Sequence, residues 1–293
     1  MRYLFSIFLL IACELHSQTG WNTVASFGTN PGNLAMYSYA PASLPTNAPL
    51  VVVMHGCTQT ASQYATESGW NVLADQHQFY TVYPEQNSTN NSSKCFNWFN
   101  YGDQNRAQGE AMSVKQMIDY MTAHFSIDVN QIYVTGLSAG ACMTNVMMAT
   151  YPEVFVKGAV MAGAPFKSAT SALGASNAMY GLVTHSATQW GDSVRFQNPS
   201  YTGQYPKVAI FQGGSDFVVN INNVAINGPT GHFSFTASAT SDSSISNGTL
   251  RVIIAPAIAV QRTITVINKC PFVVYAGITG SDANLTKGAS KPG

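Results

Sequence analysis

The sequence is poor in charge, and its few charges balance. Only 9% of its 293 residues are charged, with 13 Lys and Arg against 13 Asp and Glu, so the formal net charge is zero. A nucleic-acid or anionic-membrane surface needs clustered basic residues, which this composition does not supply. The abundance of Asn, Ser, Thr, Gly and Tyr suits an exported protein that meets neutral polymers. A chain of this length buries a full core as one large α/β domain.

The sequence also lacks an apolar run long enough to cross a bilayer. Arg2 and the apolar segment 3–12 are too short for a span and are typical of a signal peptide, which we place at residues 1–17. Cleavage after Ser17 releases a soluble extracellular protein. In the alternative, residues 10–13 form a lipobox, and Cys13 carries a lipid anchor at a new N-terminus.

Cysteine is scarce, with five residues in the whole chain. Export makes those that remain after Cys13 candidates for disulfides. They are Cys57, Cys95, Cys142 and Cys270. Cys142 lies one turn into a predicted helix, and we interpret it as a buried, inert thiol. Cys270 has no evident partner.

A Gly-x-Ser-x-Gly segment carries the strongest chemical signal. It occupies positions 136–140, after the apolar run 131–135 and before the helix-compatible run 141–150. Between a strand and a helix this pattern is typical of a nucleophile elbow, since only small residues fit beside so sharp a turn. The strain holds the Ser138 hydroxyl clear of the backbone, where a base and an ester carbonyl both reach it. Ser138 is therefore the predicted nucleophile.

Strand and helix patterns alternate from about residue 18 to residue 222. Apolar runs predict strands covered on both faces at 50–54, 79–83, 131–135, 158–162 and 207–211. From Val114, apolar residues recur at i, i+3, i+4 and i+7, which predicts an amphipathic helix over 109–125 with its methionines in the core. This alternation predicts a mainly parallel sheet flanked by helices, with the active site at the carboxyl ends of the strands.

Acyl transfer also requires an oxyanion hole, a base and an acid that orients the base. The predicted strand 50–54 runs into a His-Gly-Cys-Thr-Gln turn at 55–59. In α/β hydrolases this position supplies one oxyanion amide, and the residue after the nucleophile supplies the other. The predicted donors are therefore the N–H groups of Cys57 and Ala139. His55 in such a turn braces the loop and is a weak candidate for the base.

Asp216 is the candidate acid. It follows the predicted strand 207–211 and comes after Ser138, which matches the Ser…Asp…His chain order of this architecture. In the alternative interpretation Asp216 only caps a turn or a helix, as aspartate often does.

Five segments, taken together and in order, resemble the secreted esterase family of polyhydroxybutyrate depolymerases, which includes feruloyl and acetylxylan esterases. They are 55–59 (His-Gly-Cys-Thr-Gln), 95–99 (Cys-Phe-Asn-Trp-Phe), 136–140 (Gly-Leu-Ser-Ala-Gly), 189–192 (Gln-Trp-Gly-Asp) and 213–216 (Gly-Gly-Ser-Asp). The resemblance covers residues 20–222. It implies an α/β-hydrolase fold, extracellular ester hydrolysis, a Ser-His-Asp triad, and neither metal nor cofactor.

The same resemblance assigns roles to single residues. Ser138 corresponds to the nucleophile and Asp216 to the acid, and Cys57 and Ala139 correspond to the oxyanion hole. It further implies a disulfide between Cys57 and Cys95. Two tryptophans in the shared segments are candidates for the substrate-facing rim, with burial in the core as the alternative for each. They are Trp98 and Trp190.

The sequence departs from the family where the catalytic histidine is expected. His232 is the only histidine after Asp216, and it follows within 16 positions. So short a segment hardly accommodates a helix, a returning strand and two loops. His232 is the candidate base, with a plain loop histidine as the alternative. His124 and His185 precede the acid and fit the expected chain order worse.

The C-terminal third differs in composition from the rest. We predict an esterase domain at 18–222, which is incomplete if the triad lacks its histidine. A Ser/Thr/Asn-rich linker follows at residues 223–261. Residues 262–293 resemble the start of a thaumatin-like β-sandwich, of which only this fragment is present. The alternative is a short β-rich appendage with strands at 251–254 and 263–267. A fragment as short as 262–293 is too small to form a hydrophobic core of its own.

The sequence thus predicts a secreted serine carboxylic-ester hydrolase that acts on polymeric or small esters. The predicted substrates are acetyl or feruloyl esters on polysaccharide, or polyhydroxyalkanoate. The competing hypothesis is a pseudoenzyme or binding module on a hydrolase scaffold, because His232 does not fit the usual position of the catalytic base. A serine peptidase on the same fold has no sequence feature of its own.

Overall fold

A computed structural model describes residues 19–213 and 215–224, together with three strands at 233–238, 247–254 and 273–278. A seven-stranded sheet lies at the centre of the protein. In chain order its strands are β1 (Gly20–Val24), β2 (Ala35–Ala40), β3 (Ala48–Met54), β4 (Tyr80–Glu85), β5 (Ile127–Leu137), β6 (Lys157–Met161) and β7 (Lys207–Phe211). Their order across the sheet is β1-β2-β4-β3-β5-β6-β7.

Five neighbouring strands of this sheet, from β4 to β7, run parallel. The five predicted strands are confirmed, and so is the α/β-hydrolase fold with its mainly parallel sheet. At one edge β1 pairs antiparallel with β2, and β2 pairs antiparallel with β4. Strands β1 and β2 bury at most one face, so their residues do not form a continuous apolar run. The sequence pattern that predicts the five parallel strands therefore does not predict these two.

Strand β3 shows why the apolar runs predict the sheet. Successive side chains of a strand point to opposite faces. Leu50, Val52 and Met54 therefore join the core on one side, while Val51 and Val53 join the core on the other. Both faces are covered, so every position of the run is apolar.

In the described part of the chain, six α-helices cover the two faces of the sheet. They are α1 (Ala61–Ser68), α2 (Trp70–His77), α3 (Gly109–His124), α4 (Ala139–Thr150), α5 (Ala172–Met179) and α6 (Ala187–Arg195), and a 3₁₀ turn follows at Ile221–Val224. Every residue of α4 is buried. The α3 prediction is confirmed, since Val114, Met117 and Met121 have no exposed surface.

A second sheet of three strands lies C-terminal to the first. Its strands are β8 (Phe233–Ser238), β9 (Asn247–Ile254) and β10 (Val273–Ile278). Strand β9 pairs antiparallel with β8 and parallel with β10. These strands agree with a β-rich C-terminal part, although the predicted strand 263–267 lies outside the described residues. Over the described ranges, no helix has the length and hydropathy to cross a membrane.

Candidate active site

Ser138 forms a strained turn between β5 and α4. Its backbone has φ 55° and ψ −117°, a combination that a residue with a side chain adopts only when its surroundings enforce it. Two hydrogen bonds do so: the Ser138 N–H donates to the Met161 carbonyl of β6 at 2.9 Å, and the Ser138 carbonyl accepts from the Cys142 N–H at 2.9 Å. The geometry is that of a nucleophile elbow.

The two glycines of the elbow are required by close backbone contacts. A Cβ on Gly136 would overlap the Gly140 carbonyl, and a Cβ on Gly140 would overlap the carbonyl oxygens of Met54 and His55. The start of α4 therefore packs directly on the end of β3. This packing brings the turn after β3 to the nucleophile.

The turn at 55–59 lies against Ser138. A Cβ built on Gly56 would come 3.6 Å from the Ser138 Cβ. The turn is held by its own side chains, since the Gly56 N–H donates to Gln59 Oε1 at 2.8 Å, and Gln59 Nε2 donates to Glu67 Oε2 on α1 at 2.6 Å. The residues predicted as oxyanion donors are the chain neighbours of this contact, since Cys57 follows Gly56 and Ala139 follows Ser138. Ala139 is the first residue of α4, so its N–H has no partner within the helix.

His55 is a bracing residue of this turn. Its Nε2 accepts the Gln86 N–H at 3.1 Å, so the ring proton lies on Nδ1, which donates to the Gly56 carbonyl at 2.6 Å. The ring is 1% exposed and packs on Phe96, with 4.9 Å between ring centroids. Burial lowers the pKa of His55, with smaller opposing effects from Gly56 and Glu85. Because both nitrogens are bonded in the neutral form, this ring is not available as a base.

The predicted disulfide between Cys57 and Cys95 is confirmed, and it links positions 38 residues apart. Cys142 is a free, buried thiol. Its sulfur accepts the Ala164 N–H at 3.1 Å, and burial raises its pKa to about 12, which agrees with an inert thiol. Cys13 and Cys270 lie outside the described residues.

Asp216 lies in the loop after β7, half-buried, with its carboxylate oriented by three donors. Oδ1 accepts the N–H groups of Val218 and Val219, each at 2.9 Å. Oδ2 accepts Gln212 Nε2 at 3.1 Å. An ionised carboxylate offers about four acceptor positions, so Oδ2 keeps capacity for a further donor such as an imidazole.

The predicted base His232 lies outside the described residues, immediately before β8. The histidines upstream of the acid do not replace it. His124 Nδ1 is bonded to the Tyr120 carbonyl at 2.8 Å, and the exposed His185 packs edge-on against Trp190 at 4.5 Å between centroids. Among the residues that the structure describes, no imidazole forms a hydrogen bond with Ser138 or Asp216.

The two candidate rim tryptophans differ in burial. Trp98 is only 5% exposed and packs in the core beside Phe99, so the rim interpretation is not supported for it. Trp190 is half-buried on α6. The sequence pattern does not separate the two, because burial depends on which loops cover each ring.

Sequence analysis missed a buried carboxylate next to the site, Glu110. It has no exposed surface and accepts hydrogen bonds from Gln86 and Asn97. The sequence spacing indicates this burial, because Glu110 lies four residues before Val114 and seven before Met117 and so falls on the apolar face of α3. An acid on that face is expected to have buried partners.

Comparison with known proteins agrees with this geometry. Residues 33–228 match the model of the family described as Esterase PHB depolymerase. Poly(3-hydroxyalkanoate) depolymerase C of Paucimonas lemoignei is 51% identical over 216 residues, which cover 74% of this chain and 52% of that protein. Feruloyl esterase B of Neurospora crassa is 37% identical over 203 residues, which cover 67% of this chain and 68% of the relative.

A solved structure shows the same fold. The acetyl xylan esterase from Aspergillus awamori superposes with a TM-score of 0.67 at 29% identity, covering 71% of this chain and 77% of that one. The chain spans about half the length of the first relatives it matches, 52% and 56%.

Proposed function

The chain belongs to the esterase PHB depolymerase family, and we propose that it is a serine carboxylic-ester hydrolase that works through an acyl-enzyme. The observation that carries the proposal is the strained backbone of Ser138, held against the Gly56 turn. Strain of this kind is stable only where the surrounding structure enforces it, and it is concentrated at functional sites.

In the proposed mechanism Ser138 Oγ attacks the ester carbonyl carbon while a histidine removes the hydroxyl proton. The carbonyl oxygen becomes an oxyanion that accepts the N–H groups of Cys57 and Ala139. Each such donor typically contributes about 3–4 kcal/mol to transition-state stabilisation. The histidine then gives its proton to the departing alkoxide, and the acyl group remains on Ser138. Water, activated by the same histidine, cleaves the acyl-enzyme and restores the serine.

We assign the acid to Asp216 and the base to His232. The hydrogen bonds of Asp216 to Val218, Val219 and Gln212 support the first assignment, because they aim the carboxylate and leave acceptor capacity on Oδ2. The second rests on chain order, since His232 follows the acid.

The proposed substrates are polymer-linked esters. Relatives named as poly(3-hydroxyalkanoate) depolymerase, feruloyl esterase and acetylxylan esterase support this class. We further propose that residues 1–17 direct export, with lipidation of Cys13 as the alternative, and that Trp190 contributes to the substrate-facing rim.

A fluorophosphonate probe and a chromogenic acetate ester test the proposal. The wild type is expected to be labelled and to turn over the ester, and Ser138→Ala is expected to do neither. Equal labelling of both proteins would exclude Ser138 as the nucleophile. His232→Ala and His185→Ala form a matched pair, of which only the first is expected to abolish turnover.

A pseudoenzyme is the second candidate, favoured by the short 16-residue separation between Asp216 and the only downstream histidine. It predicts that the folded wild type shows no turnover dependent on Ser138. Binding to insoluble polyester or polysaccharide without hydrolysis would then support a binding role.

A further inference from the structure

Glu110 is buried at the start of α3 and has no part in the proposed mechanism. Its Oε2 accepts the Asn97 N–H and its Oε1 accepts Asn97 Nδ2, both at 2.8 Å. Oε1 also accepts Gln86 Nε2. A buried carboxylate is costly unless it is fully hydrogen-bonded, so the structure around these three donors is tightly constrained.

Gln86 connects Glu110 to the turn beside the nucleophile. Its side-chain Nε2 donates both to Glu110 and to the Cys95 carbonyl, the latter at 3.2 Å. Its backbone N–H donates to His55 Nε2 at 3.1 Å. The same residue thus contacts both parts of the chain that hold Cys57, namely its disulfide partner and the bracing histidine.

The bond from His55 to Gly56 controls the direction of the Cys57 amide. In a trans peptide the C=O and the N–H point in opposite directions, and the described residues contain no cis peptide bond. His55 Nδ1 holds the Gly56 carbonyl at 2.6 Å. The Cys57 N–H of that same peptide therefore points away from the ring. If the peptide flipped, the donor would be turned away from the oxyanion.

We propose that Glu110 is a positioning residue for the oxyanion hole, acting on the Cys57 amide through Gln86 and His55. This inference rests on the proposed function. A second route runs through the Cys57–Cys95 disulfide, because Gln86 also holds the Cys95 carbonyl. Both routes begin at one buried carboxylate and end at one backbone N–H. Glu110 does not contact the reacting atoms.

The test compares Glu110→Gln and Gln86→Met with a matched control, Gln104→Met. Gln104 is also fully buried, but its Nε2 donates to the Ala169 carbonyl and not to Glu110 or the Cys95 carbonyl. Rates for p-nitrophenyl butyrate are normalised to the fraction of Ser138 that a fluorophosphonate titrates. We expect kcat to fall about 10- to 100-fold in the first two variants with KM within about twofold, because only transition-state binding is lost. The control keeps kcat within about twofold.

The outcomes separate the two proposals. Absence of turnover dependent on Ser138 in the wild type contradicts the proposed function. Turnover that persists in both Glu110→Gln and Gln86→Met with unchanged kcat overturns the positioning role alone. A parallel rise in KM, or loss of folding in both variants, also overturns it, because the carboxylate then serves substrate binding or the fold.

A spectroscopic measurement is independent of activity. The ring ¹⁵N resonances of His55 are expected to show a single neutral tautomer with the proton on Nδ1 in the wild type. In Glu110→Gln we expect a mixture of tautomers, since the Gln86 N–H no longer has a fixed direction. An unchanged His55 signature in that variant overturns the proposed coupling.

Discussion

Cys57 and Cys95 are joined by a disulfide, and their Cα atoms lie 4.2 Å apart although 38 positions separate them in the chain. The bond ties the turn beside Ser138 to the loop that carries Asn97, a partner of Glu110. Covalent and hydrogen-bonded contacts thus hold the same backbone amide from two sides.

We expect removal of this disulfide to destabilise the protein. The Cys57→Ser, Cys95→Ser double variant should lose about 4 kcal/mol in free energy of unfolding, the chain-entropy estimate for a loop of this length. Urea denaturation measures the loss, and reductant should produce a similar decrease in the wild type. Cys142→Ala should retain the response to reductant. The prediction is contradicted if reductant leaves the free energy of unfolding of the wild type unchanged.

Substitution of Gly140 should disrupt the elbow. Gly140→Ala places a Cβ against the Met54 and His55 carbonyl oxygens, which belong to rigid backbone. We expect a loss of about 1–3 kcal/mol, the usual cost of overpacking, together with loss of Ser138 labelling. Gly174→Ala is the control, because a Cβ there meets only ordinary contacts at 3.5 Å or more. In helix α5 it should be neutral or stabilising by about 0.4–1 kcal/mol. Equal effects of the two substitutions would refute the argument.

The Cys142 thiol should be unreactive in the native protein. Burial raises its pKa to about 12, so the thiolate is scarce at pH 8, and the buried sulfur is inaccessible to reagents. Iodoacetamide treatment followed by peptide mass spectrometry should find Cys142 unmodified in native protein and alkylated after denaturation in urea. Rapid alkylation under native conditions would show that this helix opens locally.

Glu110 should make the stability of the protein dependent on pH. Burial and, secondarily, the Asp103 carboxylate raise the pKa of Glu110 from 4.5 to about 8, while hydrogen bonds from Asn97 and Gln86 oppose the rise. Between these pH values the unfolded chain has released a proton that the native protein keeps. This contribution to the free energy of unfolding therefore falls as the pH rises from 4.5 to about 8, and it stays low above that range.

Denaturant titrations at several pH values measure that slope. Glu110→Gln should flatten it, because glutamine does not titrate and cannot bind a proton differently in the native and unfolded states. Gln104→Met removes no titratable group and should keep the wild-type slope. The prediction fails if Glu110→Gln and the wild type have the same slope over this interval.

Much of the fold follows from local patterns. The apolar runs at 50–54 and 131–135 identify buried strands because both faces of the central sheet are covered. The antiparallel edge formed by β1 and β2 could not be found in this way, because half-buried edge strands have a weaker pattern. The sequence left open whether Trp98 lies at the rim or in the core, and it did not show the partners of Glu110, since both depend on which distant loops pack nearby.

By itself the sequence determined the elbow at Ser138, the position of Asp216 after a strand, the pairing of Cys57 with Cys95 through the family resemblance, and the family. These depend on residues close together in the chain or on motifs in a set order. Only the tertiary structure decided which groups hold His55 in its turn and that Gln86 connects this turn to Glu110. The hydrogen bonds of Gln86 to His55 and to Glu110 join residues that lie 31 and 24 positions apart in the chain. Hydrogen bonds over such separations leave no periodicity in the sequence, because they form only when the sheet brings loops together.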